Sequence, residues 1–83
     1  MYQVVIERQA QKQLAKISPP HYQSIVAALQ NLATNPRPQG YKKLKGRPGF
    51  RIRVADYRII YQINDQVLTI FIIVIGHRKD IYE

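Results

Sequence analysis

Phe50-Arg-Ile-Arg-Val-Ala55, Arg58-Ile-Ile-Tyr-Gln-Ile63 and Val67-Leu-Thr-Ile-Phe-Ile-Ile-Val-Ile75 decide how this chain is read. In the first run Arg51 and Arg53 alternate with Ile52 and Val54. A pleated strand therefore sends both guanidinium groups to one face and the aliphatics to the other. The second run places Arg58 opposite in facing to Ile59 and Tyr61. Paired as a hairpin across Ala55-Asp56-Tyr57, the two strands make a sheet with one apolar face and one face carrying a row of cations. The third run is almost continuously aliphatic, as expected of a central strand covered on both faces or packed at one end against helices. Asn64-Asp65-Gln66 reads as the tight turn joining the second and third runs, since Asn and Asp tolerate turn geometry.

Outward from this block, Tyr41-Lys-Lys-Leu-Lys45 reads as a short edge strand and Gly46-Arg-Pro-Gly49 as a turn. Thr34-Asn-Pro-Arg-Pro-Gln-Gly40 is a loop, punctuated by two prolines and a glycine. Before it, Ile25, Ala28, Leu29 and Leu32 recur at helical spacing within a helix from about His21 to Ala33. Ala10, Leu14 and Ile17, with Arg8, Lys12 and Lys16 on the other side, predict a shorter helix. Ser18-Pro19-Pro20 ends that helix, because proline lacks an amide hydrogen and disfavours helical geometry in the residue before it. Tyr2 to Ile6 is β-branched and aromatic enough for a first strand. The expected fold is α+β in a single domain spanning residues 1–83: an N-terminal strand, a helical hairpin, then a three- to four-stranded antiparallel sheet with one face under the helices.

Charge narrows the function. Thirteen Lys and Arg against five Asp and Glu give a formal charge of +8 over 83 residues. Such a field favours a polyanion, either nucleic acid or an acidic protein. The sequence has no cysteine, which excludes disulfides and thiolate metal sites and is compatible with a reducing cytoplasm, the expected location. No membrane role is expected. Met1-Tyr-Gln-Val-Val-Ile-Glu7 has no basic leader region, and Val67 to Ile75 is too short to cross a bilayer.

The inventory of reactive groups narrows it further. The five carboxylates, Glu7, Asp56, Asp65, Asp80 and Glu83, are scattered, so a two-metal nuclease has no support, and His21 and His77 alone cannot make a zinc site. No metal or cofactor is expected. No phosphate-binding glycine loop follows a strand, and neither Ser18 nor Ser24 sits in a nucleophile context. Metal-free RNA cleavage fits the residues that are present. The 2′-hydroxyl attacks the adjacent phosphodiester if one group takes its proton, others neutralise the phosphorane, and another protonates the leaving oxygen. Arg51, Arg53, Arg58 and Arg78 suit the middle task, because the guanidinium fork matches phosphate and stays charged. His77 titrates near neutrality, and Tyr82 could take a proton if neighbouring cations lower its pKa from about 10. Lys42, Lys43, Lys45 and Arg47 make a phosphate-contacting patch that positions RNA. Each residue also has a plainer reading: Arg51 and Arg53 as solvated positions on an open sheet face, His77 as a strand cap, and Tyr82 as a packed aromatic.

Arg51-Ile-Arg53, Tyr57-Arg-Ile-Ile-Tyr-Gln-Ile63 and Gly76-His-Arg-Lys-Asp-Ile-Tyr82 together resemble the RelE branch of the RelE/ParE toxin superfamily, small basic toxins that pair with acidic antitoxins. The helical hairpin and the Lys43-Leu-Lys-Gly46 turn also fit, so the resemblance covers nearly the whole chain. It implies a toxin of a type II toxin–antitoxin system that cleaves mRNA in the ribosomal decoding site without a cofactor. It further implies a toxin that is monomeric alone and enters a higher-order complex with its acidic antitoxin. Arg51 and Arg53 fall where the family has basic strand residues that orient RNA and stabilise charge. Arg58 falls on an arginine at the scissile phosphate, Arg78 on one that stabilises the leaving group or transition state, Tyr82 on a proposed general base, and Lys45 on a basic residue of the substrate-binding turn. The best-known relatives have lysines at the positions of Arg51 and Arg53, which preserves the electrostatic role but not a proton relay. His77 stands where some relatives have lysine, and a supporting acid/base role is expected of it. The alternatives are a ParE-like toxin that binds gyrase without cutting RNA, and a non-catalytic RNA- or antitoxin-binding module.

Overall fold

The structure, a computed structural model, describes residues 1–77. Strand β1 (Gln3–Ile6) leads into helices α1 (Arg8–Ala15) and α2 (His21–Thr34). Strands β2 (Lys42–Lys43), β3 (Phe50–Val54), β4 (Tyr57–Asn64) and β5 (Thr69–His77) follow. All five strands form one sheet in the order β1-β5-β4-β3-β2. β5, β4, β3 and β2 run antiparallel in succession, while β1 lies parallel to β5, with Gln3 opposite Thr69 and Ile6 opposite Ile72. Parallel neighbours need a long crossover, and the helical hairpin is part of it. The fold is thus the expected α+β arrangement, with the N-terminal strand added as a fifth member of the same sheet.

The core lies between the helices and one sheet face. Ile52, Ile59, Tyr61, Ile70, Ile72 and Ile75 meet Ala10, Ile25, Leu29 and Leu32, all buried. Each fully buried aliphatic side chain contributes on the order of 1.5–3 kcal/mol of transfer free energy, so this layer carries most of the driving force. α1 packs on β5, and α2 contacts both β1 and β3. α1 stops at Ala15, yet Ile17 still packs against the core from the connecting segment.

Three local features depart from the period-two pattern. The β3–β4 turn is shorter than expected: Val54 pairs with Tyr57, leaving only Ala55 and Asp56 at the tip, with Ala55 at φ 54°. The β4–β5 turn is longer, because Asn64 pairs with Thr69. There the Asn64 side-chain oxygen accepts from the N–H groups of Gln66 and Val67 at 3.0 and 3.3 Å, and Leu68 takes φ 50°. Val67 and Leu68, expected in the strand, therefore belong to the turn and are exposed. Side-chain capping by Asn64 prevailed over their β propensity. The third feature is a register shift between Ile60 and Tyr61. Ile60 faces Val74 while Tyr61 faces Ile72, so Ile73 is an extra residue on β5.

That bulge inverts the facing of the strand beyond it. Before it, Ile70 and Ile72 point to the core; after it, Ile75 does. Ile73 and Val74 instead join Leu44 and Ile60 in a small apolar cluster away from the main core. β5 outruns β1 at Ile72, so among the described residues no strand lies beside the edge of β5 past that point. α1 covers it: the Gln13 side-chain oxygen accepts the Ile75 N–H at 2.7 Å, satisfying a backbone donor left over at the sheet edge.

Candidate functional site

Residues directly opposite in an antiparallel ladder share a face. Lys42 is opposite Arg51 across β2 and β3, and Arg53 is opposite Arg58 across β3 and β4. Four cationic side chains from three strands therefore stand on the sheet face turned away from the main core. Arg53 and Lys42 are exposed, Arg58 is half-buried and Arg51 is buried to 7% exposure. Arg51 is also opposite Ile60, on the face that carries the apolar cluster of Leu44, Ile60, Ile73 and Val74. An apolar floor under guanidinium groups lowers the local dielectric and strengthens their attraction for an anion. The bulge completes the arrangement by bringing Gly76, which has no side chain, opposite Arg58. Bulges often re-aim strands beside functional sites in this way.

The other expected residues divide. Lys45 and Arg47 are exposed on the connection between β2 and β3. Lys43 is opposite Phe50, which packs on the main core, so its position lies on the face opposite to that of Lys42. His77 is opposite Tyr57 on the helix-covered side, with ring centroids 5.6 Å apart, and His21 of α2 lies 5.7 Å from the same tyrosine. The structure thus brings Arg51, Arg53 and Arg58 together with Lys42 and does not bring His77 to them. Uninterrupted alternation along β5 would have left His77 facing opposite to Ile70 and Ile72, away from the helices; the extra residue Ile73 turns it to the helix side. Arg78 and Tyr82 lie outside the described residues.

A polar cluster that sequence reasoning missed braces one side of this region. Tyr2 donates its hydroxyl hydrogen to Asp65, and Arg37 pairs with the other carboxylate oxygen at 3.0 Å. The Tyr2 hydroxyl and the Arg37 guanidinium hold the Asp65 carboxyl below its ordinary range, while the tyrosine hydroxyl is raised by the same bond. Arg37 donates its backbone N–H to the Asn35 side chain. Beneath, buried Tyr61 donates its hydroxyl to the Pro36 carbonyl at 2.7 Å, and burial pushes its pKa up to about 12. The bonds from Tyr61 to Pro36, Arg37 to Asp65 and Tyr2 to Asp65 span 25 to 63 positions of the chain, so no local signal could reveal them. Among the described residues no three His, Asp or Glu side chains gather where they could hold a metal ion, and no helix is long and apolar enough to cross a membrane.

With this geometry established, the comparisons with known proteins assign the class. The model of the ParE toxin family of type II toxin–antitoxin systems, parDE, matches residues 4–82, and the chain belongs to that family. Within the wider RelE/ParE superfamily it is a RelE-like member. The toxin–antitoxin complex RelE–RelB from Pyrococcus horikoshii contains a chain 30% identical, matching over 93% of this chain and 94% of that one with a TM-score of 0.83. For RelBE2 from Mycobacterium tuberculosis the identity is 29%, the coverage 93% and 98%, and the TM-score 0.81. The intact RelBE complex of E. coli gives 25%, 93% and 96%, and 0.81. Among curated proteins, none matches in sequence.

Proposed function

We propose that this toxin is a metal-independent endoribonuclease that cleaves mRNA in the decoding site of the ribosome and is held inactive by an acidic cognate antitoxin. The observation that carries the reading is the cation row: Arg53 opposite Arg58 and Lys42 opposite Arg51, over an apolar floor on the face turned away from the main core. A phosphodiester backbone laid along this row would meet several cations at once. In the reaction the RNA 2′-oxygen attacks the adjacent phosphorus, the bond from phosphorus to the 5′-oxygen breaks, and a 2′,3′-cyclic phosphate and a 5′-hydroxyl result. Arg58 contacts the scissile phosphate, and Arg51 and Arg53 neutralise the charge that develops on it. Tyr82, as its phenolate, takes the 2′-hydroxyl proton, and Arg78 stabilises the leaving 5′-oxygen while it takes a proton from water. Lys42, Lys45 and Arg47 hold the strand through its phosphates. His77, packed beside Tyr57 on the helix side, takes no direct part in this scheme. The RelE–RelB complexes among the relatives support an antitoxin partner, and the charge of +8 supports an acidic one.

The competing reading, a ParE-like toxin that binds its target without cleaving RNA, is favoured by the family model that matches. Primer extension on mRNA translated in a reconstituted bacterial system separates the two. Cuts within codons that require ribosomes, and that disappear in Arg58→Ala and Tyr82→Phe, are expected. Growth arrest without such cuts would transfer the case to the binding reading.

A further inference from the structure

Beside the cation row lies a cleft of about 460 Å³ whose cause can be traced in the backbone. Leu44 donates its N–H to the Gly49 carbonyl, so the peptide groups of Gly49, and by strand alternation those of Arg51 and Arg53, face the β2 side of β3. Lys42 pairs with Arg51. Continuing that register would set residue 40 against Arg53, but Gly40 takes φ 90° and Tyr41 donates its N–H back to the Pro38 carbonyl. A left-handed backbone is open to glycine without a steric penalty, and here it turns the chain away. Among the described residues no strand lies beside the edge of β3 at Arg53, and a cleft opens between that edge and α2.

The lining suits one kind of occupant. Ala28, Ile52 and Val54 contribute apolar surface, while the side-chain amides of Asn31 and Gln39 offer donors and acceptors. Lys42, Arg51 and Arg53 belong both to this cleft and to the cation row. The volume falls within the roughly 300–1,000 Å³ of small-molecule sites. The wall formed by residues 36–40 is braced in advance, by the Tyr61 hydroxyl on Pro36 and by the Arg37–Asp65 pair. A flat apolar group with polar edges, carried on a phosphate, is what such a lining recognises.

We propose that the cleft between α2 and the free edge of β3 is a nucleobase subsite. In it Asn31 and Gln39 hydrogen-bond a base of the RNA whose phosphates lie along Lys42, Arg51 and Arg53. The inference rests on the RNA reading of the cation row and adds to it a place where sequence preference is set. An acidic peptide strand added to the edge at Arg53 is the competing occupant. It would use the backbone groups and the cations but would leave the two amides without a role.

The test is direct binding, so that it does not depend on cleavage. Purified toxin is titrated by two-dimensional NMR with the four nucleoside 5′-monophosphates, with ribose 5-phosphate, and with a peptide of alternating Glu and Val. The nucleotides should shift the Asn31 and Gln39 side-chain amides and bind about tenfold or more tightly than ribose 5-phosphate, the increment expected of one or two hydrogen bonds to the base. The double variant Asn31→Ala with Gln39→Ala, both exposed positions, should lose that increment and retain ribose 5-phosphate binding. Equal affinity for nucleotides and ribose 5-phosphate would overturn the subsite. So would a peptide that shifts the Arg53 amide while nucleotides leave Asn31 and Gln39 unmoved. A protein that cuts no mRNA but passes this test would lose the proposed activity and keep the subsite.

Discussion

Replacing Tyr61 by phenylalanine isolates a single buried hydrogen bond on which the loop wall depends. Tyr61 has no exposed surface, its ring lies 6.0 Å from that of Phe50, and its hydroxyl donates to the Pro36 carbonyl at 2.7 Å. Tyr61→Phe keeps the ring and its packing but removes the donor from a buried carbonyl. Leaving such a group without its partner costs about 1–3 kcal/mol. Taking about 2 kcal/mol, and about 4–8 °C per kcal/mol for a domain of this size, the midpoint of thermal unfolding should fall by roughly 8–16 °C. Circular dichroism melts at neutral pH measure this. The pH dependence supplies an internal check. The folded phenol titrates at about 12, above the ordinary value of about 10. A raised folded pKa gives stability that is fully present below the unfolded value and lost as pH rises through the folded one. The gap between wild type and variant should therefore hold steady up to about pH 9 and narrow progressively above pH 10. An unchanged melting midpoint at neutral pH, or a gap constant through the alkaline range, would refute the account.

Three further outcomes are expected. Gly49→Ala should cost about 1–3 kcal/mol in urea unfolding, because Gly49 sits at φ 117° and a Cβ there would lie 3.1 Å from the Tyr61 carbonyl oxygen. Asp65, whose folded carboxyl is lowered by Tyr2 and Arg37, adds stability that is present above its unfolded pKa of about 3.9 and lost as pH falls through the folded value. Melts across pH 5 to 2 should accordingly show a shallower acid limb for Asp65→Asn than for wild type, a modest difference since the pair is exposed, with sides 42% and 55% accessible. Arg53→Ala, at an exposed position, should leave folding intact and reduce the slope of log affinity against log salt for a short RNA by about one. An unchanged slope would place the phosphate elsewhere.

Much of this protein was written locally. The alternation of Arg51 and Arg53 with Ile52 and Val54 placed cations on one face, because the period of a strand is set by its own backbone. The stripe of Ile25, Leu29 and Leu32 and the stop at Ser18-Pro19-Pro20 located the helices by the same kind of short-range geometry. The family resemblance rested on such segments too, above all Tyr57 to Ile63 and the stretch from Gly76.

Contacts across the chain were decided only by the tertiary structure. A run as uniformly aliphatic as Thr69 to Ile75 carries no mark of where one residue will be extruded, because every position satisfies either face. The bulge at Ile73 arises from matching β5 to β4, and it alone sends His77 to the helix side and Gly76 to Arg58. Nor could Lys42 be set against Arg51, Asp65 against Tyr2 and Arg37, or the turn at Gly40 against the open edge of β3, until the sheet was assembled. Side-chain periodicity is a property of one segment, whereas register and the pairing of distant polar groups belong to the packed whole. The sequence by itself determined which residues could face an anion, and only the folded sheet decided which of them stand together.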